Sequence, residues 1–186
     1  NKETYIENTV QQVLKQTIQS FEIIVVNDGS TDKSEKNLSN IIDERLRLIN
    51  QKNQGVACAR NRGIKEAKGK YVCFLDADDI WKEDFLEVTY NLFLKFPKAK
   101  IACPSYQVSY GNRVVTPIWR SVDLEHDSLV NDFFEMATGP FWICNSSCIA
   151  IEREELLQMN DYFPERETVY EDFDLWIRLG AKYLVA

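Results

Sequence analysis

Histidine is nearly absent from this sequence, whose 186 residues include only His126. Catalysis by Ser-His-Asp or Cys-His groups, and zinc binding through His-Glu-x-x-His, all depend on histidine side chains. Unless this single residue serves in one of them, those chemistries are excluded, and any bound metal must rest mainly on carboxylates. We expect His126 itself to be a surface residue.

Long apolar runs and basic residues are also scarce. No run approaches the roughly 20 apolar residues of a membrane-spanning helix, so we expect no bilayer crossing here, although a peripheral membrane contact stays open. Asp and Glu outnumber Lys and Arg by 29 to 22, which gives a net charge of −7 and an isoelectric point near 4.9. Nucleic-acid-binding modules usually carry a basic stripe, so we expect no nucleic-acid partner.

The cysteines follow no disulfide or metal-binding pattern. None stands in a Cys-x-x-Cys pair, and an odd number in a chain of this length does not suggest a disulfide framework. We therefore expect all of them to be reduced, as in a cytoplasmic protein. They are Cys58, Cys73, Cys103, Cys144 and Cys148.

Hydrophobic periodicity alternates between strand and helix along the first half of the chain. Strand-like apolar runs cover 21–26, 46–50 and 71–75, and helical patterns cover 6–14, 55–68 and 82–96. This alternation predicts an α/β fold, a mostly parallel sheet with flanking helices, in a single domain over 1–186. In the looser second half we expect one or two strands within 100–119, a helix at 128–136, a strand at 141–151 and a helix at 171–183.

The strongest chemical signal is the Leu-Asp-Ala-Asp-Asp segment at 75–79, where a buried strand is expected to end. Open α/β sheets bind ligands at the carboxyl ends of their strands. Carboxylates this close repel each other, and Mg²⁺ or Mn²⁺ relieves that repulsion by accepting one or two of them together with substrate phosphate oxygens. The alternative is that Asp79 caps the next helix and the other two are solvated.

Two further segments also follow predicted strands. In Asn-Asp-Gly-Ser at 27–30, Asp28 could accept from a base N–H while Gly29 lets the backbone approach closely, although a plain strand-to-helix turn is an equal alternative. In the segment at 53–63, Gly55 opens a helix and Arg60 offers a planar fork for phosphate. Its small residues are also explained by tight packing of the helix on the sheet.

A fourth segment is acidic and enters an amphipathic helix near 170–178. Acidic residues are common in a first helical turn because of the helix dipole, so this segment alone is weak evidence of function. Asp172 could also take a proton from a hydroxyl group.

In this order, the four segments resemble the inverting family 2 glycosyltransferases, which have the nucleotide-diphospho-sugar transferase (GT-A) fold. The resemblance covers nearly the whole chain. It implies a nucleotide-binding half at 1–100 and an acceptor-binding half at 101–186. It also implies a metal ligand at Asp78 and a catalytic base at Asp172, the second member of a Glu-Asp pair. The donor-binding residues implied are Asp28, Ser30, Asn53, Gly55, Arg60 and Asp76.

The chain departs from the family pattern at both ends. Members usually begin with an apolar strand that ends near the position of Asn1, so we expect the native chain to extend upstream by roughly ten residues that form a central strand and cover the apolar edge of strand 22–27. The Gln-x-x-Arg-Trp signature of processive synthases does not follow the Glu-Asp pair, which favours single transfer.

The resemblance implies transfer of a sugar from a UDP-sugar, or another nucleotide-diphospho-sugar, to an acceptor hydroxyl with inversion and with Mn²⁺ or Mg²⁺ as cofactor. We expect a glycan or lipid-linked acceptor, a role in cell-surface polysaccharide synthesis and a cytoplasmic location, with contact at the inner membrane face left open. The alternatives are a non-catalytic sugar-nucleotide-binding module and a phosphatase of the haloacid dehalogenase type, which also uses Asp-x-Asp after a strand.

Overall fold

A computed structural model of the chain describes residues 1–119, 126–130, 133, 141, 144–159, 161–165 and 170–186. Helices and strands alternate along the first half, as the periodicity predicts. They are α1 (Ile6–Leu14), β1 (Ile23–Asp28), α2 (Ser34–Ser39), β2 (Leu46–Gln51), α3 (Val56–Glu66), β3 (Tyr71–Cys73) and α4 (Phe85–Lys95). The second half contains β4 (Ile101–Ala102), β5 (Val108–Tyr110), β6 (Arg113–Val115), β7 (Ala150–Glu152), α5 (Arg153–Leu157) and α6 (Glu171–Gly180).

Among the described residues, the strands form a parallel pair, a three-stranded sheet with antiparallel pairing and a separate hairpin. β1 and β2 are parallel over six residue pairs, from Ile23 opposite Leu46 to Asp28 opposite Gln51. β7 lies between β3 and β4 and is antiparallel to both, so β3 and β4 run in the same direction. β5 and β6 pair with each other. This mixed α/β architecture with flanking helices confirms the predicted fold class.

The pairing of β1 is relevant to the upstream strand that we expect from the sequence. Within the described residues β1 forms a ladder with β2 alone. The central strand that we expect beside it stays a prediction.

Two secondary-structure predictions in the second half are wrong. Residues 128–130 are not helical, because the Val130 amide donates to the Val185 carbonyl; Phe133 is helical, and the rest of 128–136 lies outside the described residues. Among the described residues of the predicted strand at 141–151, only 150 and 151 lie in a strand, β7, because the side chain of Asn145 caps a 3₁₀ turn at Ser146–Cys148. The last helix ends at Gly180, three residues before the predicted end.

The prediction of five reduced cysteines is also wrong. A disulfide joins Cys103 and Cys144, whereas Cys58, Cys73 and Cys148 are not disulfide-bonded. Cys103 directly follows β4, and the segment that begins at Cys144 leads into β7, the neighbour of β4. Their Cα atoms are 5.9 Å apart, within the usual disulfide range.

Aromatic packing fixes the start of α6 near the end of β3. Leu175, Trp176 and Leu179 form the buried face of α6. The Trp176 ring packs against Phe74, the residue after β3, and against Phe163, with ring centroids 5.9 and 5.5 Å away. In the part of the chain that the structure describes, no helix has both the length and the apolar character to span a membrane.

Candidate active site

Arg60 on α3 joins two of the motifs that the sequence singled out. Its Nη2 donates to Oδ1 of Asp76 and its Nη1 donates to Oε1 of Glu171, both at 2.9 Å. The side chains of Arg60 and Glu171 are only 12% and 11% exposed, whereas that of Asp76 is 46% exposed. The Arg60 guanidinium also lies 5.3 Å from the centre of the Phe163 ring. The Arg60 guanidinium therefore fixes the position of Glu171, the residue before Asp172, relative to Asp76.

Asp172 lies in the first turn of α6 and is half-buried. Its Oδ2 accepts a 3.0 Å hydrogen bond from the Ser146 hydroxyl, and its Oδ1 accepts from the Phe173 amide at 2.9 Å. The residue before this helix, Tyr170, has φ of 65°, a left-handed conformation that is costly for a residue with a side chain. The positive end of the helix dipole favours the negative charges of Glu171 and Asp172 at this position.

The 3₁₀ turn at Ser146–Cys148 contacts both carboxylate motifs. The Ser147 hydroxyl accepts from the amide of Asp76 at 2.9 Å, and its carbonyl accepts from Trp81 Nε1 at 2.6 Å. Sequence reasoning missed these serines and assigned their segment to a strand. Asn145 before two serines is a capping signal that could have predicted the turn, but not its distant partners.

Asp28, at the end of β1, holds the start of α3. Its Oδ1 accepts from the Gln54 amide and from Gln51 Nε2, and its Oδ2 accepts from the Gly55 amide, at 2.8 to 2.9 Å. The second and third predicted motifs therefore meet here. The predicted contact of Asp28 with a nucleotide base stays a prediction.

Close backbone approach explains the glycine that follows Asp28. Gly29 has φ of +70°, and a Cβ built on it would lie 2.8 Å from the amide nitrogen of Asn53. Asn53 is exposed, and Ser30, in the same loop as Gly29, donates its amide to the Asn27 side chain at 3.0 Å. Both side chains remain predicted donor-binding residues.

Asp78 is paired with a residue far away in the sequence. Lys2 Nζ lies 2.7 Å from Asp78 Oδ2, and the two side chains are 45% and 50% exposed. The hydrogen bond from Lys2 lowers the pKa of Asp78, and the same bond raises the pKa of Lys2.

The carboxylates after β3 meet the requirements of a hard divalent cation. Among the described residues, no three His, Cys, Asp or Glu side chains cluster as a metal cage. Mg²⁺ and Mn²⁺ need no such cage, since one or two carboxylates and substrate phosphates satisfy them. Asp76 and Asp78 supply oxygen donors that are about half-exposed to solvent, so these residues fit such a cation.

Comparison with known proteins identifies the family. The family model described as Glycosyl transferase family 2 matches residues 1–154, and the chain belongs to that family. An uncharacterized glycosyltransferase of Rickettsia bellii is 41% identical over an alignment of 195 residues, gaps included, which covers 100% of this chain and 26% of that protein. The putative teichuronic acid biosynthesis glycosyltransferase TuaG of Bacillus subtilis is 46% identical over 90 residues, which cover 47% of this chain and 36% of TuaG.

Solved structures share the fold along the whole chain. The S. aureus TarS fragment 1–349 in complex with UDP has a TM-score of 0.70 at 20% identity, covering 100% of this chain and 57% of that one. The mannosyltransferase PcManGT from Pyrobaculum calidifontis, in complex with GDP-Man and Mn²⁺, has a TM-score of 0.71 at 19% identity, covering 100% of this chain and 51% of that one. The chain spans less than a third of the length of the Rickettsia relatives that it matches from end to end.

Proposed function

We propose that this chain is the catalytic domain of an inverting glycosyltransferase that transfers a sugar from a UDP-sugar to an acceptor hydroxyl. The observation that carries the proposal is the pair of hydrogen bonds that Arg60 donates, one to Asp76 and one to Glu171. It ties the carboxylates proposed to face the donor to the helix that presents Asp172. Family membership supports sugar transfer and argues against the phosphatase alternative.

In the proposed reaction, Asp172 accepts the proton of the acceptor hydroxyl while that oxygen attacks the anomeric carbon from the face opposite the leaving diphosphate. The configuration inverts, and no covalent intermediate forms. Asp28, Ser30, Asn53, Gly55 and Asp76 orient the nucleotide, and Arg60, also predicted to bind the donor, fixes Asp76 against it through their hydrogen bond. Asp78 would hold Mn²⁺ or Mg²⁺, which would neutralise the leaving diphosphate.

The wider role rests on the relatives. TuaG is named for teichuronic acid biosynthesis, which supports a glycan or lipid-linked acceptor and a role in cell-surface polysaccharide synthesis. TarS binds UDP in its crystal structure, which supports a UDP-sugar as donor. We further propose a cytoplasmic location at the inner face of the membrane; the Cys103–Cys144 disulfide removes the argument from reduced cysteines, so this location rests on family membership alone.

The Asp172→Asn variant tests the proposal. The most active donor is first chosen from UDP-glucose, UDP-galactose and UDP-N-acetylglucosamine by Mn²⁺-dependent release of UDP. Removal of a general base costs about 10²–10⁴-fold in rate, so we expect a loss of this size with UDP affinity retained. The Asn side chain has the shape of the carboxylate and its oxygen still accepts a hydrogen bond, so a purely structural Asp172 would leave activity nearly intact in this variant. If the wild type binds UDP but releases no UDP from any of the three UDP-sugars, the chain is instead a non-catalytic binding module.

A further inference from the structure

The hydroxyl of Ser146 fixes one oxygen of the Asp172 carboxylate. Building on the proposed function, we propose that Ser146 is a positioning residue that holds Asp172 in the orientation in which it accepts the proton. Ser146 Oγ lies 3.0 Å from Oδ2, and the Phe173 amide holds Oδ1 at 2.9 Å, so rotation of the carboxylate is restrained at both oxygens. Each carboxylate oxygen has two lone-pair sites, which leaves Oδ2 able to accept from the acceptor as well.

The position of Ser146 is itself fixed by its turn. Ser146 is only 3% exposed, and its hydrogen bond to the half-buried Asp172 is itself part-buried. The side chain of Asn145 caps the turn, and the amide of Asn145 donates to Cys148 Sγ at 3.2 Å. The disulfide between Cys103 and Cys144 ties down the residue that precedes this cap. A hydroxyl mounted this rigidly can set the direction of its partner.

The next residue in the turn provides a matched comparison. The Ser147 hydroxyl accepts from the Asp76 amide at 2.9 Å, so Ser147 acts on the end of β3 and not on Asp172. Ser146 and Ser147 are both buried, adjacent and equal in size. A substitution that merely loosens the turn would affect both contacts, whereas loss of the Ser146 hydroxyl alone acts on Asp172.

A double-mutant cycle on UDP release tests the assignment. Misorientation of a catalytic group by about 1 Å costs up to 10²-fold, so we expect Ser146→Ala to lower kcat by about 10- to 100-fold while the KM for the UDP-sugar stays within about 2-fold. In the Asp172→Asn background the same substitution has no base left to orient, so we expect a further change below about 2-fold. Ser147→Ala should reduce the rate by a similar factor in both backgrounds.

Ser146→Cys separates hydrogen bonding from packing. A thiol fills the space of the hydroxyl but is a weak donor, so we expect a loss of kcat close to that of Ser146→Ala. This variant also tests the proposal if Ser146→Ala fails to fold. Wild-type kcat in Ser146→Cys, or an equal loss from Ser146→Ala in both backgrounds, overturns the positioning role while the proposed function stands. Wild-type activity in the single variant Asp172→Asn would overturn both the positioning role of Ser146 and the proposed function.

Discussion

The ammonium of Lys2 lies 2.7 Å from Oδ2 of Asp78, so the carboxylate proposed as metal ligand already has a positively charged partner. A divalent cation at Asp78 competes with that partner. The pair is about half-exposed, and exposed ion pairs contribute about 0.2–1 kcal/mol, so we expect Lys2→Met to bind Mn²⁺ about 1.4- to 5-fold more tightly in the presence of UDP.

Titration calorimetry measures this change. Lys98→Met, at an exposed lysine between α4 and β4, is the control and should leave Mn²⁺ affinity unchanged. The gain in Lys2→Met should shrink at high salt, because salt screens the pair that was removed. Equal or weaker Mn²⁺ binding by Lys2→Met would contradict competition at Asp78.

Substitution of Arg60 should lower the free energy of unfolding by a large amount, and a second substitution at Glu171 should restore part of it. Arg60→Met keeps the apolar stem but leaves Glu171 charged and buried without its cation, which costs about 3–5 kcal/mol. Adding Glu171→Gln removes the uncompensated charge, so we expect the double variant to recover about 1–2 kcal/mol. Urea unfolding measures both values. A double variant no more stable than Arg60→Met would show that the charge of Glu171 is not what Arg60 compensates.

Gly29 and Gly111 form a matched pair for the close approach beside Asp28. Both have positive φ, +70° and +61°, so an alanine at either position costs about 1–2 kcal/mol in backbone strain. A Cβ at Gly111 meets nothing within 4 Å, whereas one at Gly29 meets the Asn53 backbone. We therefore expect Gly29→Ala to lower the free energy of unfolding more than Gly111→Ala does. Equal losses in thermal or urea unfolding would mean that the loop moves away from Asn53 at no cost.

The disulfide predicts how many cysteines react. Alkylation of the urea-unfolded, unreduced chain should modify three cysteines, and alkylation after reduction should modify all five. Mass spectrometry counts the adducts. Cys103→Ser should show four without reduction, because it frees Cys144. Five adducts on the unreduced wild type would contradict the Cys103–Cys144 bond.

The first half of the fold was predictable because its signals are local. The β-branched run at 21–26 and the helical spacing that starts at Ile6 are each complete within one element; α1 has the predicted bounds, and β1 is shifted by two residues toward the C-terminus. The apolar run at 141–151 satisfied a strand pattern equally well. Capping by Asn145 and the pairing of β7 with β3 and β4 decided its structure instead.

The candidate site was predictable only in outline. Residues at the ends of strands are recognisable from the sequence, and Asp28 does end β1 while Asp76 and Asp78 follow β3. The contact between Arg60 and Glu171 spans 111 positions and depends on how α6 packs against Phe74 and Phe163. No local pattern marks Ser146 as the partner of Asp172, since its role exists only after β7 enters the sheet beside β3.

The hydrogen bonds to Asp28 limit how many donors a nucleotide base can bring to it. A carboxylate has about four lone-pair sites, and the side chain of Gln51 and the amides of Gln54 and Gly55 use three of them. One site is left, on Oδ2. Uracil offers a single ring N–H and matches that vacancy, whereas guanine places a ring N–H beside an amino group and would bring one donor too many. If Asp28 contacts the base as proposed, the number of acceptor sites left on its carboxylate would select the base.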